Sequence, residues 1–251
     1  MSNSNKIMKV SNVITKFGDK LVHNGINLHV NEGEIYGLLG PSGCGKSVLM
    51  REMIMLEQIR SGSIELLGHK IESIGMRAAQ KLRLQWGVLF QSNALFTSLT
   101  VAENIALALQ EYTRLSQESI NDIVAFKIDI VGLKQSDGML YPSQISGGMK
   151  KKAALARALV MDPKIVFLDE PTSGLDPISA REFDTLIVKL RDLLNLTVVM
   201  VSHDLTSINT TLDRMAVIDN KKIVAEGTLT EVKMIESPFI ERFFEMDKGK
   251  G

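Results

Sequence analysis

The chain has 251 residues, with 29 lysines and arginines against 29 aspartates and glutamates, a formal net charge of zero. Hydrophobic residues at 45% and charged residues at 23% exclude a disordered chain, and the neutral balance argues against nucleic acid as a partner. The length fits one large domain, or one core with an inserted subdomain. One cysteine, Cys44, excludes an internal disulfide framework and a multi-cysteine metal site, and it fits a reducing compartment. No run approaches the ~20 apolar residues that span a bilayer. Residues 1–6 are polar and lack a signal-peptide core. A soluble, cytosolic protein is expected, one that reaches a membrane only by docking.

Residues 7–16 and 21–30 alternate imperfectly between apolar and polar, which predicts two strands joined by a turn at Gly18 and Asp19. Residues 34–39 form a short apolar run ending before Gly40 and predict a central strand buried on both faces. A helix over 47–58 follows, then short strands at 63–67 and 70–74, and an apolar strand over 87–90. From about 94 to 158 the pattern turns helical. Apolar residues at 101, 105, 107 and 109, and at 120, 123, 124, 128 and 131, predict helices over 101–112 and 120–131. Strand character returns at 165–168. In 179–194, Phe183, Leu186, Ile187, Leu190, Leu193 and Leu194 fall at helical spacing, so they are expected to form one buried face. A strand over 196–201, a helix over 204–212 and strands over 214–219 and 222–225 complete the chain, and residues 247–251 read as frayed. Strands alternating with helices imply a mainly parallel sheet with crossover helices.

Gly40, Pro41, Ser42, Gly43, Cys44, Gly45, Lys46 and Ser47 fit the Gly-x-x-x-x-Gly-Lys-[Ser/Thr] phosphate loop, placed after a buried strand and before a helix. Its glycines let backbone N–H groups turn inward around phosphate oxygens, and the helix start adds its positive dipole end. Lys46 is expected on the terminal phosphates and Ser47 on Mg2+. Cys44 has two readings, a redox-active thiol or a small residue at a permissive position. Asp169 and Glu170 end the strand at 165–168. An ionised pair there is costly without a cation, so Asp169 is expected to support the metal and Glu170 to polarise an attacking water.

Ser146, Gly147 and Gly148 open a helix, which makes either a second anion site or an N-cap serine with flexible glycines. Lys150, Lys151 and Lys152 then oppose the helix dipole, read as a response to a nearby anion or as a solvated face. His203 and Gln91 each follow a predicted strand. Alone, each reads as an ordinary loop or strand-end residue.

In this order, residues 40–47, Gln91, Ser146 to Gly148, Asp169 with Glu170, the run Ser173, Gly174, Leu175 and Asp176, and His203 resemble the ATP-binding cassette (ABC) ATPases over nearly the whole chain, about residues 7–227. The resemblance implies an α/β P-loop NTPase with a RecA-like core, an antiparallel β subdomain and an inserted helical subdomain carrying the signature motif. It places the core at residues 1–91 and 159–235, the helical part at 92–158 and a C-terminal tail at 236–251. It implies ATP and Mg2+, and two copies joined head to tail, so that each ATP lies between residues 40–47 of one copy and Ser146, Gly147 and Gly148 of the other. Phe17 would stack on adenine. Gln91 would contact Mg2+ and the attacking water and sense the transporter, Asp176 would communicate across the dimer, and His203 would contact the γ-phosphate. Catalysis would rest on Glu170, His203, Gln91 and Lys46, and the metal on Ser47, Gln91 and Asp169.

A narrower resemblance, to the Mla/Mce-type lipid transport ATPases, rests on three segments. These are the signature ending in Met149 with the basic and alanine-rich run to Arg157, the segment 89–104, and residues 238–244. Ile145 replaces the usual leucine of the signature, a mild change, and the chain stops soon after Phe244, which puts any contact made by a longer tail in doubt. This type implies a permease dimer in the inner membrane, an Mce-domain lipid-binding protein, in some members a STAS-domain partner, and phospholipid as cargo, with the ATPase on the cytoplasmic face. The rivals are an ATPase of another transporter, for amino-acid uptake or lipoprotein release, and a soluble ABC ATPase outside transport.

Overall fold

The structure is a computed structural model that describes residues 5–245. The fraying expected at 247–251 lies outside them. In chain order the strands and helices are β1 (Lys6–Phe17), β2 (Lys20–Asn31), β3 (Ile35–Leu39), α1 (Lys46–Met53), β4 (Ser61–Leu66), β5 (His69–Lys70), α2 (Met76–Arg83), β6 (Trp86–Leu89), α3 (Val101–Tyr112), α4 (Gln117–Ile130), α5 (Gly147–Leu159), β7 (Ile165–Asp169), α6 (Pro177–Leu194), β8 (Thr197–Val201), α7 (Leu205–Thr211), β9 (Arg214–Asp219), β10 (Lys222–Gly227), α8 (Leu229–Lys233) and α9 (Pro238–Glu245). They form two compact units. One takes in the described residues up to Arg83 and from Thr197 onward, and the other is Leu84–Leu196.

In the first unit β3 lies between β8 and β9 and runs parallel to both, while β10 closes the edge antiparallel to β9. All five residues of β3 and of β8 are buried, as parallel strands covered on both faces must be. At the start of β3, Arg214 ties Glu34 and Glu226 at 3.0 Å each, and the Tyr36 hydroxyl donates to Glu226 at 2.9 Å. Leu39, Met215, Val217, Ile208, Val232 and Ile240 build a core cluster against which Phe239, Phe243 and Phe244 of α9 pack. A separate antiparallel sheet, in the order β2-β1-β4-β5, forms the small β part.

In the second unit β6 and β7 pair in parallel, with α3, α4, α5 and α6. Helix α4 buries Ile120, Val124 and Ile128, as its spacing predicts. Along α6 the expected face is only partly buried. Phe183, Ile187 and Leu190 are inside, Leu186 and Leu194 are half-buried, and Leu193 is 70% exposed.

Three sequence expectations need correction. Helix α1 stops at Met53, short of residue 58. Met55 adopts φ 59°, its N–H donates to Glu52 O at 3.1 Å, and the Leu56 N–H donates to Arg51 O at 2.8 Å. That is a Schellman ending with methionine in the place usually held by glycine, so no sequence signal announced it. Of the strand expected at 70–74 only Lys70 is in a strand, the two-residue β5 of His69–Lys70, and Ile71–Ser73 forms a 3-10 turn. Helix α2 was not anticipated; of its residues only Ala79 and Leu82 are buried, too few to set a period.

Candidate nucleotide site

Strand β3 delivers the chain into the phosphate loop, at the carboxyl end of a parallel strand where such folds bind ligands. The loop turns on Gly40 (φ 143°), Gly43 (φ 78°) and Gly45 (φ 106°). Room matters as much as dihedral angle. A Cβ at Gly40 would lie 2.3 Å from the Ile218 carbonyl oxygen, and one at Gly45 would lie 2.4 Å from His23 Nε2. The crown, Pro41, Ser42 and Gly43, is exposed. Lys46 is buried, and its ammonium donates to the Gly40 and Pro41 carbonyls at 2.8 and 2.9 Å, which holds the charge at the mouth of the loop. Gly45 accepts the first helical bond, from Leu49 N–H, so the amides of the first turn of α1 are not consumed by the helix ladder. Ser47 sits in that turn.

Cys44 is half-buried. Burial pushes its thiol up, against the pull of Lys46. Phe17 ends β1 with its ring 46% exposed. His203 is exposed just after β8, beyond the buried Ser202.

Beneath the loop lies a buried polar cluster that the sequence reading missed. Thr15 and His23 face each other across β1 and β2. The Thr15 hydroxyl donates to Glu52 Oε1 of α1 at 2.7 Å and lies 2.7 Å from His23 Nδ1. With its hydrogen given to Glu52, Thr15 accepts from Nδ1–H, and Nε2 lies behind Gly45 with no hydrogen-bond partner. The hairpin turn at Gly18 was a usable signal for the Thr15–His23 pair. Nothing in the order of residues brings Glu52 to it.

The second unit assembles the acidic strand end. Asp169 is buried and closes β7, and Glu170 follows at φ 46°. The Gln91 side chain donates from Nε2 to Glu170 Oε2 at 3.1 Å. Helix α5 supplies two further cations. Lys151 is only 3% exposed, and its Nζ donates to the Gln91 carbonyl at 2.9 Å and the Glu170 carbonyl at 3.5 Å. Burial lowers the Lys151 pKa, while Asp169 and Glu170 pull it back up. Arg157 donates to the Asn93 and Ala94 carbonyls at 2.9 and 2.6 Å, where the chain passes through two left-handed residues at φ 65° and 50°. Buried Asn104 knits the rest of that loop, accepting from Phe96 N–H and donating to the carbonyls of Phe96, Leu99 and Thr100. Neither reading of the lysine run covers Lys151. It points inward to backbone oxygens, while Lys150 and Lys152 are partly exposed.

Ser146 is the N-cap of α5 and accepts from Met149 N–H at 3.2 Å, and Gly147 and Gly148 are its first residues. Asp176 caps α6, accepting from the Ile178 and Ser179 N–H groups and from the Ser179 hydroxyl. The Ser179 hydroxyl first, then these amides, hold its carboxyl below the usual range. The two helix starts are neighbours: a Cβ on Gly148 would lie 3.9 Å from Ser179 Oγ.

The residues present suit a magnesium nucleotide. The loop offers an ammonium and the amides at the start of α1 that the helix ladder does not use. Within the first unit Ser47 offers a hydroxyl, and within the second Gln91 and the buried Asp169 offer an amide oxygen and a carboxylate, each a hard oxygen donor of the kind Mg2+ takes. The ABC transporter family model matches residues 23–173. The chain belongs to the ABC transporter family. The ATP-binding protein MlaF of the intermembrane phospholipid transport system of Haemophilus influenzae is 39% identical over 225 residues, 88% of this chain and 84% of that one. A probable ribonucleotide transport ATP-binding protein, mkl, of Mycobacterium leprae is 36% identical over 94% of this chain and 68% of its own. The fold matches the dimeric ATP-binding cassette MJ0796 in a post-hydrolysis state bound to ADP and Pi, with TM-score 0.80, 28% identity, and coverage of 88% of this chain and 98% of that one. The protein is thus an ABC ATPase with the P-loop NTPase fold, the ATP-binding subunit of an ABC transporter. Among the described residues no helix is long and apolar enough to cross a membrane.

Proposed function

We propose that this subunit drives phospholipid movement between the membranes of a bacterial envelope, as an Mla/Mce-type ATPase on the cytoplasmic face of the inner membrane. The observation that carries the enzymatic part is the Gln91 amide held on the Glu170 carboxylate at 3.1 Å. Glu170 accepts a proton from the attacking water, and Gln91 orients both that water and the carboxylate. Lys46 and the loop amides bind the phosphates, Phe17 stacks on adenine, and His203 contacts the γ-phosphate. Ser47, Gln91 and Asp169 hold Mg2+, which supplies charge neutralisation on the phosphoryl oxygens. Two copies meet head to tail, Ser146, Gly147 and Gly148 of each completing the other's site and Asp176 linking the two. Residues 92–158 form the helical part that meets a permease dimer, with an Mce-domain protein and a STAS-domain protein as further partners. The lipid assignment draws its support from the likeness to the phospholipid-system relative, and the likeness to the ribonucleotide-transport relative supports a rival cargo.

Glu170→Gln is expected to abolish turnover while ATP still binds and traps a dimer. Retention of normal ATPase activity would remove Glu170 from its role. The cargo is tested by pull-down of tagged protein from gently solubilised native membranes, with mass spectrometry of proteins and lipids. A permease recovered with an Mce-domain protein and phospholipid supports the lipid reading. A different permease keeps the ATPase and overturns the cargo, and recovery without any membrane partner overturns the transport role.

A further inference from the structure

Lys151 lies in the second turn of α5, five residues after the Ser146 cap, and is 3% exposed. Burying an ammonium costs several kcal/mol unless it is paired or hydrogen-bonded. An apolar side chain would fill the same place without that cost, so the charge calls for a local reason. Its partners are specific. Two of its three donors reach the backbone carbonyls of Gln91 and Glu170, the same two residues whose side chains meet at 3.1 Å. The second of those bonds is long, 3.5 Å, and Ser173 N–H at 3.1 Å shares the Glu170 carbonyl. Glu170 also holds a left-handed backbone at φ 46°, a conformation a glutamate keeps only when its surroundings impose it. The single ammonium therefore fixes where both side chains leave the backbone.

Helix α5 grips the same loop a second time through Arg157 at the Asn93 and Ala94 carbonyls. A helix held at two points along its length moves the Gln91 loop as it moves. We propose that Lys151 is a positioning residue that ties the Ser146-capped helix to the Gln91–Glu170 pair, so that the seating of the signature end of α5 sets the geometry of water activation. On the shared-site reading proposed above, the signature end of a chain serves its partner's ATP while Gln91 and Glu170 serve its own. Lys151 then links the two sites of the dimer.

The test compares Lys151→Met, Lys151→Arg and Lys151→Gln in the full-length chain. Lys151→Met is expected to lower kcat about ten-fold or more with KM for ATP changed less than about three-fold, because displacement of a catalytic pair by a fraction of an ångström affects chemistry more than ground-state binding. The Hill coefficient for ATP is expected to fall toward one, and Lys151→Arg, which keeps charge and donors, is expected to recover most of the loss. The melting temperature is the second readout. Lys151→Met leaves the Gln91 and Glu170 carbonyls short of a donor, so a modest fall is expected, whereas a lysine with a purely structural role would lose kcat only as far as the folded fraction falls at the assay temperature. If Lys151→Met does not fold, Lys151→Gln, a shorter neutral donor, carries the same comparison. A kcat within about two-fold of wild type, or a loss no larger than the fall in folded fraction, overturns the proposal. ATP-dependent dimerisation of Glu170→Gln, followed by light scattering, tests the shared-site reading separately. If that dimer does not form, the link between sites falls with the reading, and the kcat and rescue pattern still decides the positioning role.

Discussion

Gly43 and Gly45 both hold positive φ in the phosphate loop, yet they face different surroundings. A Cβ at Gly43 meets nothing within 4 Å, whereas one at Gly45 comes within 2.4 Å of His23 Nε2, a ring fixed by buried Thr15. Gly43→Ala should therefore suffer only the left-handed backbone strain, on the order of 1 kcal/mol. Gly45→Ala adds a collision that neither α1 nor the buried imidazole can relieve. Titration with a fluorescent ATP analogue is expected to show ATP affinity falling at least about ten-fold for Gly45→Ala and clearly less for Gly43→Ala. Equal losses would mean that backbone angle alone controls the loop. The Thr15–His23–Glu52 cluster makes a second prediction. Glu52→Ala leaves the Thr15 hydroxyl without its acceptor in a site of zero exposure. An orphaned buried donor costs about 1–3 kcal/mol, so a lower denaturation midpoint is expected. Glu52→Gln, which keeps an acceptor, should lose less.

At the scale of elements, helix starts share a device whose pH dependence can be read directly. Thr100 and Glu103 form a capping box on α3, and Thr228 and Glu231 form one on α8. The backbone N–H of Thr100 first, then its hydroxyl, hold the Glu103 carboxyl below its usual range, and Thr228 does the same for Glu231. A carboxylate with a depressed folded pKa adds stability that is present above its unfolded value, about 4.3, and lost as the pH falls through the folded value. These caps should therefore leave the melting temperature flat from neutral pH to about pH 5 and contribute to its fall below about pH 4. In Glu103→Gln with Glu231→Gln that acid limb should be shallower, with a lower plateau at neutral pH. An unchanged acid limb would show that other carboxylates govern it.

The elements also show why some of the molecule was legible in its sequence and some was not. The buried strands β3, β7 and β8, the capped helices α3 and α6, and the phosphate loop all carry their cause locally, as an apolar run, a cap residue or a glycine. The early end of α1 does not, because methionine took the left-handed position. Lys151 does not either. In the sequence it is one of three lysines, and only the packing of α5 against the Gln91 loop separates the buried one from its neighbours. Ser146 and Asp176 were legible as candidates, and the structure adds that each is also the N-cap of its helix. Loss of either would disturb helix geometry as well as any contact across a dimer.

That double role complicates single substitutions at the whole-molecule scale, and mixing two defective chains avoids the difficulty. Lys46→Ala removes the ammonium from a chain's own loop. Ser146→Arg blocks the signature end that, on the proposed arrangement, completes the partner's site. Each homodimer then has two damaged sites. In a mixed dimer the intact loop of the Ser146→Arg chain faces the intact signature end of the Lys46→Ala chain, and both defects fall in the other site. One whole site is regenerated from two inactive proteins. With free exchange at equal concentration and sites that fire independently, about a quarter of the wild-type rate is expected, and less where the two sites must fire together. ATP-dependent dimerisation should return in the mixture as well. Self-contained sites would give no recovery at any mixing ratio, because every chain would still carry its own defect. Failure of both ATPase activity and dimerisation to return would therefore rule out sites shared head to tail, while leaving the geometry of Gln91, Glu170 and Lys151 within one chain as it stands.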